Sequence, residues 1–296
     1  MSLAHPDAYE PASSLAARLT GAAETARALA ADRSALAGMV IVTLLILAAA
    51  AAPLLAPYDP NAQDLALRLA PPGAAHWLGT DELGRDVLSR LLAGSRITLA
   101  VVALIALTVP AAGLAVGCLA GFAGGIVDAV LMRIADVFLA FPRLILALAL
   151  VAAMGPGLSH ALIAIALAAW PPYARLARAE TMAIRERDFI AAARLSGASP
   201  ARLLLLHIAP LCLPSLIVRA SLDMAGVILT AAGLGFLGLG VAPPQAEWGA
   251  MIAAGRRFML DQWWVAAAPG VAIAVATLGF NLLGEGLRDV LDPRQR

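Results

Sequence analysis

The chain has 296 residues, of which 61% are hydrophobic and only 14% charged, and its mean hydropathy is +0.84. A soluble domain of this length does not carry so much apolar surface, so the composition demands lipid. The formal net charge of +1 argues against nucleic acid as a partner, and all 21 basic residues are arginine.

Residues 1–34 read as a cytoplasmic tail. No charged residue lies between Arg33 and Asp59, and residues 35–56 predict a first transmembrane helix. The Ala-rich stretch Ala48–Ala52 resembles a signal cleavage site, but an apolar run of about 20 residues is long for a signal core; an uncleaved span is expected. Residues 57–96 form an outer segment in which a proline-rich piece leads into Val87, Leu88, Leu91 and Leu92. That helical spacing predicts an amphipathic helix lying on the outer membrane surface, packed against neighbouring spans or helping to dock a partner. The uncharged block between Arg96 and Asp128 holds the second span.

Residues 97–290 are read as the main transmembrane domain. The uncharged run Leu144–Ala174 has 31 residues, too many for one span and too few for two. Gly155-Pro156-Gly157 signals a turn, so one helix is expected to start near Ala135 and the next to end near Leu176. Asp136 and Arg143 would then share a face at the start of the third span, as an interfacial charge pair. The fifth span is expected from about Leu211. It carries Arg219 and Asp223, whose spacing of four predicts a self-neutralising structural pair; the alternative is that both line a translocation path. Glycines 233, 235, 238 and 240 permit close packing or unwinding. A sixth span covers Gln262–Gly284, and residues 291–296 form a cytoplasmic tail. Trp248, Trp263 and Trp264 suit an interfacial aromatic belt, and Cys118 and Cys212 read as buried small hydrophobes.

With both termini in the cytoplasm, fourteen arginines fall inside and six outside, as the positive-inside rule requires. The polar loop 178–210 is then cytoplasmic. It reads as a helix over about Ala183–Leu195, ended by Gly197, and a second short helix capped by Ser199 with Pro200 at its first position. Such an element suits docking into another protein's groove. A P-loop needs lysine, and this chain has none. If ATP drives transport, ATP and Mg must bind to partner subunits. His5, His76, His160 and His207 are scattered without ligand spacing, and no nucleophile elbow or zinc-protease motif occurs. The chain is read as a non-enzyme with no metal or cofactor site of its own.

Permease subunits of ATP-binding-cassette importers carry a cytoplasmic signature of Glu-Ala-Ala, three residues, Gly, nine residues and Ile-x-Leu-Pro. This chain resembles it at Ala192, Ala193, Gly197 and Pro210 and departs from it at Ala191, His207 and Ala209. The implied ATPase-coupling loop comprises Asp188, Ala191, Ala192, Ala193, Gly197, Ala198, Ser199, Pro200 and Pro210, with Asp188 standing in for the missing Glu. Further segments resemble the second permease subunit of dipeptide, oligopeptide and nickel importers. They are Leu78–Asp86 (LGTDELGRD), Ala140-Phe141-Pro142, Tyr173–Leu176, Gly235–Gly240, Glu247-Trp248-Gly249 and Leu287–Pro293. The resemblance implies an all-α membrane protein with a leading helix and a five-span core, six transmembrane helices in all, in the bacterial inner membrane. Implied partners are a second permease, two ATPase subunits that bind ATP and Mg, and a periplasmic or lipid-anchored binding protein. Peptide is the expected substrate and nickel chelate the alternative. A stand-alone secondary transporter or channel using Arg219, Asp223 and Asp136 as a relay is the reading of a different class, and no halved hydropathy symmetry favours it.

Overall fold

In the computed structural model, residues 32–291 are described; most of the expected tails 1–34 and 291–296 lies outside them. Helix α1 (Arg33–Ala50) starts on a cap, with Asp32 Oδ1 accepting from the Ala35 amide at 2.8 Å. Pro53 opens the short turn of helix Ala52–Leu55 that follows. Helix α2 (Val87–Ala123) then runs 37 residues, roughly 55 Å at 1.5 Å per residue. This corrects the separate surface helix expected within 57–96. Val87, Ser89 and Arg90 are buried, and the helix runs on through Gly94 into the apolar block, so the outer segment's helix and the second span are one element.

Helices α3 (Gly125–Leu139) and α4 (Arg143–Met154) are bent by 92° at residues 140–142. The expected single helix from Ala135 is therefore broken. Pro142 has no amide to donate and biases Phe141 away from helical geometry. The turn at Gly155-Pro156-Gly157 falls where expected, and helix α5 (Leu158–Arg185) follows it. Next come α6 (Asp188–Leu195) and α7 (Pro200–Phe236), whose segment Leu203–Ile208 is a π-helix. Helices α8 (Trp248–Gly255) and α9 (Trp264–Leu291) complete the described chain. Helices α1, α2, α7 and α9 are each long and apolar enough to cross a membrane, and the bent α3–α4 pair brings the number to five.

The tightest packing is α2 against α5. Gly113, Gly117 and Gly121 repeat every four residues on one face of α2, so the backbones approach with no side chain between them. A Cβ at Gly117 would sit 2.7 Å from Ala177 Cβ, and one at Gly121 2.7 Å from the Arg178 carbonyl. Gly117→Leu is expected to cost about 1–3 kcal/mol through overpacking, read as a lower melting temperature of the detergent-solubilised protein. The same logic joins α1 to α9. A Cβ on Gly38 would meet the Gly279 carbonyl at 2.9 Å, and one on Gly286 the Ala35 Cα at 2.8 Å. The first helix is thus packed into the bundle, as expected of a span. Cys118 and Cys212 are free and buried, both within reach of the Thr181 hydroxyl at 3.3 and 3.8 Å.

Candidate coupling element and membrane polar cluster

The loop between α5 and α7 is built by local chain chemistry. The expected helix Ala183–Leu195 is interrupted, because α5 ends at Arg185 and α6 starts at Asp188. Asp188 stands in the first turn of α6, where its charge complements the helix dipole. At the other end Gly197 adopts φ +83°. Its amide donates to the Arg194 carbonyl at 3.0 Å, and the Ala198 amide donates to the Ala193 carbonyl at 3.1 Å. This pair of bonds is a Schellman motif, and its central residue must enter the left-handed region. The Ser199 hydroxyl then accepts from the Arg202 amide at 3.3 Å, with Pro200 following. The second short helix does not end before the span: it continues through the π-segment into α7. Pro210 lies just past that segment, where it can donate no amide to a regular helical ladder.

Ile190, Leu203 and Ile208 are each buried to 2% exposure or less, which pins the element to the bundle. Leu195 at the tip is 90% exposed, and Asp188, Ala191 and Ala192 are exposed as well. Ala191, the position of the missing Glu, therefore faces outward with Asp188 one turn before it. An element rigidly joined below and bare and apolar at its tip can transmit a displacement applied there.

A second polar constellation lies inside the bundle. Asp223 does not pair with Arg219, contrary to expectation. Its Oδ1 accepts from Arg143 Nη1 at 2.8 Å and its Oδ2 from the Tyr173 hydroxyl at 3.2 Å. Arg143 in turn does not pair with Asp136, which is held by Arg175. The bend at residues 140–142 explains both outcomes, since it places Asp136 and Arg143 on different helices and carries Arg143 to α7. Asp128 pairs with Arg178, so α3 is tied to α5 by two ion pairs. The proposed relay of Asp136 with Arg219 and Asp223 is not assembled by hydrogen bonds.

The sequence run Leu78–Asp86 forms a buried joint at the head of α2. Asp81 accepts from the amides of Leu83 and Arg85 at 2.9 and 3.0 Å, and from Arg85 Nε at 2.7 Å, with Arg90 Nε at 3.4 Å. Asp86 caps α2 through the Ser89 amide at 2.7 Å and meets His76 Nδ1 at 2.9 Å. Gly79 and Gly84 have φ of +72° and +73°, the left-handed turns that let the loop fold back. This joint borders a cavity of about 460 Å³ that also touches Gly235, Gly238 and Gly240. Trp248 corrects the expected aromatic belt: it is buried, and its Nε1 donates to the Leu91 carbonyl at 3.0 Å. Trp263 remains exposed, as a belt residue would.

Glu247 caps α8 by accepting from the amides of Gly249 and Ala250 at 2.9 and 3.0 Å. Burial nonetheless pushes its carboxyl up, and the two amides only partly counter this. A raised folded-state value makes the contribution to stability greatest below the unfolded value and smaller as pH rises through the folded one. Melting temperature should show that acid-side component, and Glu247→Gln should lack it.

Residues 113–296 match the family described as binding-protein-dependent transport system inner membrane component. The chain belongs to this family. Residues 22–72 additionally match the N-terminal TM domain of oligopeptide transport permease C. The chain is 49% identical to the probable D,D-dipeptide transport system permease protein DdpC of Escherichia coli (strain K12), over 86% of each chain. It is 44% identical to the di/tripeptide transport system permease protein DppC of Pseudomonas aeruginosa (strain UCBPP-PA14), over 89% of each. It is 46% identical to the nickel transport system permease protein NikC of Escherichia coli (strain K12), over 86% of this chain and 92% of that one. In fold it is similar to a chain of the inward-facing MetNI methionine ABC transporter. The TM-score there is 0.53 at 22% identity, covering 68% of this chain and 95% of that chain. The relatives are permease subunits, which fits a membrane-embedded transport component.

Two features of this permease were not read from its sequence. The Gly113–Gly117–Gly121 repeat was legible as a small-residue helix interface. Tyr173 as a partner of Asp223 carried no local signal, because the two are 50 residues apart.

Proposed function

We propose that this chain is one transmembrane permease subunit of an ATP-driven, binding-protein-dependent importer of dipeptides and oligopeptides. The observation that carries the proposal is the α6–α7 element, rigidly anchored by Ile190, Leu203 and Ile208 and exposing Leu195 at its tip. Partner ATPases bind ATP and Mg, and their closure pushes on this element. The bundle answers by alternating access between its two sides. A second permease completes the translocation path, and a periplasmic or lipid-anchored binding protein delivers cargo.

In this reading six segments cross the bacterial inner membrane. They are the five apolar candidates together with α5, whose stretch from Leu158 to Ala174 is uncharged. Both termini lie in the cytoplasm, which puts the α6–α7 element on the ATPase side. The similarity to di- and tripeptide permeases favours peptide cargo, and the comparable similarity to a nickel permease favours nickel chelate as the second reading.

Affinity purification of this chain should bring down a second permease and a P-loop ATPase. Proteoliposomes holding that complex should accumulate alanyl-alanine when given ATP and the binding protein, and this chain alone should accumulate none. Accumulation of nickel chelate without peptide would transfer the assignment to the second reading. Uptake by the chain alone would end both. Asp188→Ala is expected to weaken ATPase capture, losing about 0.3–1 kcal/mol of helix-end stabilisation as well, and co-purification yield measures it.

A further inference from the structure

The charges at the middle of α7 do not balance. Asp223 lies near the midpoint of Ala209–Phe236, roughly 20 Å from either end at 1.5 Å per residue. Its two oxygens are taken by Arg143 and Tyr173. Arg219, one turn away on the same face of α7, is exposed and has no carboxylate within 4 Å among the described residues. Nε and Nη2 of Arg143 are buried with no hydrogen-bond partner among those residues. One carboxylate therefore stands beside two guanidinium groups and is bonded to only one of them, with several donors left over. Unpaired charge at this depth is costly, and it marks a place where an anion arrives. Gly226, about one turn further along α7, borders the same pair: a Cβ there would lie 3.7 Å from Arg143 Nη1, an ordinary van der Waals contact.

We propose that Arg219 and Arg143 form a site that accepts the free carboxylate of the cargo as it passes mid-membrane. This rests on the importer reading above and adds the chemistry of recognition to it. A guanidinium fork matches a carboxylate geometrically. The carboxylate comes from a peptide's C-terminus or from the organic chelator of a metal. Tyr173 and Asp223 act as positioning residues, since their bonds fix the orientation of Arg143 and leave its outer edge for the ligand.

The test uses the whole complex in detergent without nucleotide: this chain, its second permease and the ATPase subunits. Radiolabelled alanyl-alanine is bound at equilibrium and competed with its C-terminal amide, with nickel–histidine and with nickel–imidazole. The acid should outcompete the amide by about tenfold, the scale of a charge-assisted hydrogen bond. Arg219→Gln should erase that preference, and Arg219→Lys, which keeps the charge but not the fork, should keep only part of it. Because Arg219 is exposed and unpaired, its replacement spares the fold. Competition by nickel–histidine but not nickel–imidazole places a chelator carboxylate in the same site. Equal binding of acid and amide, absence of acid binding, or an unchanged preference in Arg219→Gln overturns the proposal. So does loss of the second permease on purification of Arg219→Gln, which would make Arg219 a subunit contact. Uptake by the wild-type complex in proteoliposomes is measured in parallel. If uptake proceeds without carboxylate preference, this inference alone fails; if no cargo accumulates, the importer reading fails.

Discussion

Asp223→Ala should destabilise the helix bundle by about 1–3 kcal/mol, less than for a fully buried ion pair because Arg143 and Asp223 are only partly buried. In the intact protein Arg143 has one hydrogen-bonded carboxylate, at 2.8 Å, and its other donors are already unpaired. Alanine would leave the whole guanidinium without an acceptor and free the Tyr173 hydroxyl as well. Since α4 reaches α7 through this pair, the loss should be read as a lower melting temperature and as easier proteolysis at residues 140–142. The double variant Arg143→Leu/Asp223→Leu should recover much of the stability, because it removes both charges and fills the space with apolar atoms. A double-mutant cycle on the two positions should show strong coupling. Additive effects would mean that the ion pair does not hold α4 to α7.

Gly197→Val should reduce uptake roughly 5- to 30-fold while leaving the protein inserted in the membrane. The estimate follows from about 1–2 kcal/mol for placing a side chain in the left-handed region, converted to a population ratio. Gly197 has φ +83°, and a Cβ there would meet nothing within 4 Å. The penalty is therefore backbone strain at the Schellman turn and not a clash. Val is β-branched and pays more there than Asn would, so Gly197→Asn should retain more uptake. On the proposed coupling role, ATP hydrolysis by the reconstituted complex should persist in Gly197→Val while transport falls, since the turn's shape would be lost and the partner's active site would not be touched. Unchanged uptake would sink the lever.

Some of this was legible one residue at a time. Composition and the charge-free blocks required membrane spans, and the Gly-Pro-Gly at 155–157 divided α4 from α5, because each signal is local and lipid leaves the backbone few choices. The turn at Gly197, the cap at Ser199 and the start at Pro200 were equally readable, as their hydrogen bonds close within a few residues. What spacing could not reveal was which charge meets which. Arg219 and Asp223 are four apart and look paired, yet Arg143 takes the carboxylate from 80 residues away. That choice depends on the 92° bend between α3 and α4 and on the glycine face that draws α5 against α2. Trp248 went from an interfacial belt to the core for the same reason, since only the packing of α8 onto α2 brings the Leu91 carbonyl to its indole. The sequence by itself determined a helical membrane protein and the bend at Gly197, Ser199 and Pro200, through interactions within single segments. The tertiary structure alone decided the partners of its buried charges, because a helix face takes its meaning from whatever packs against it.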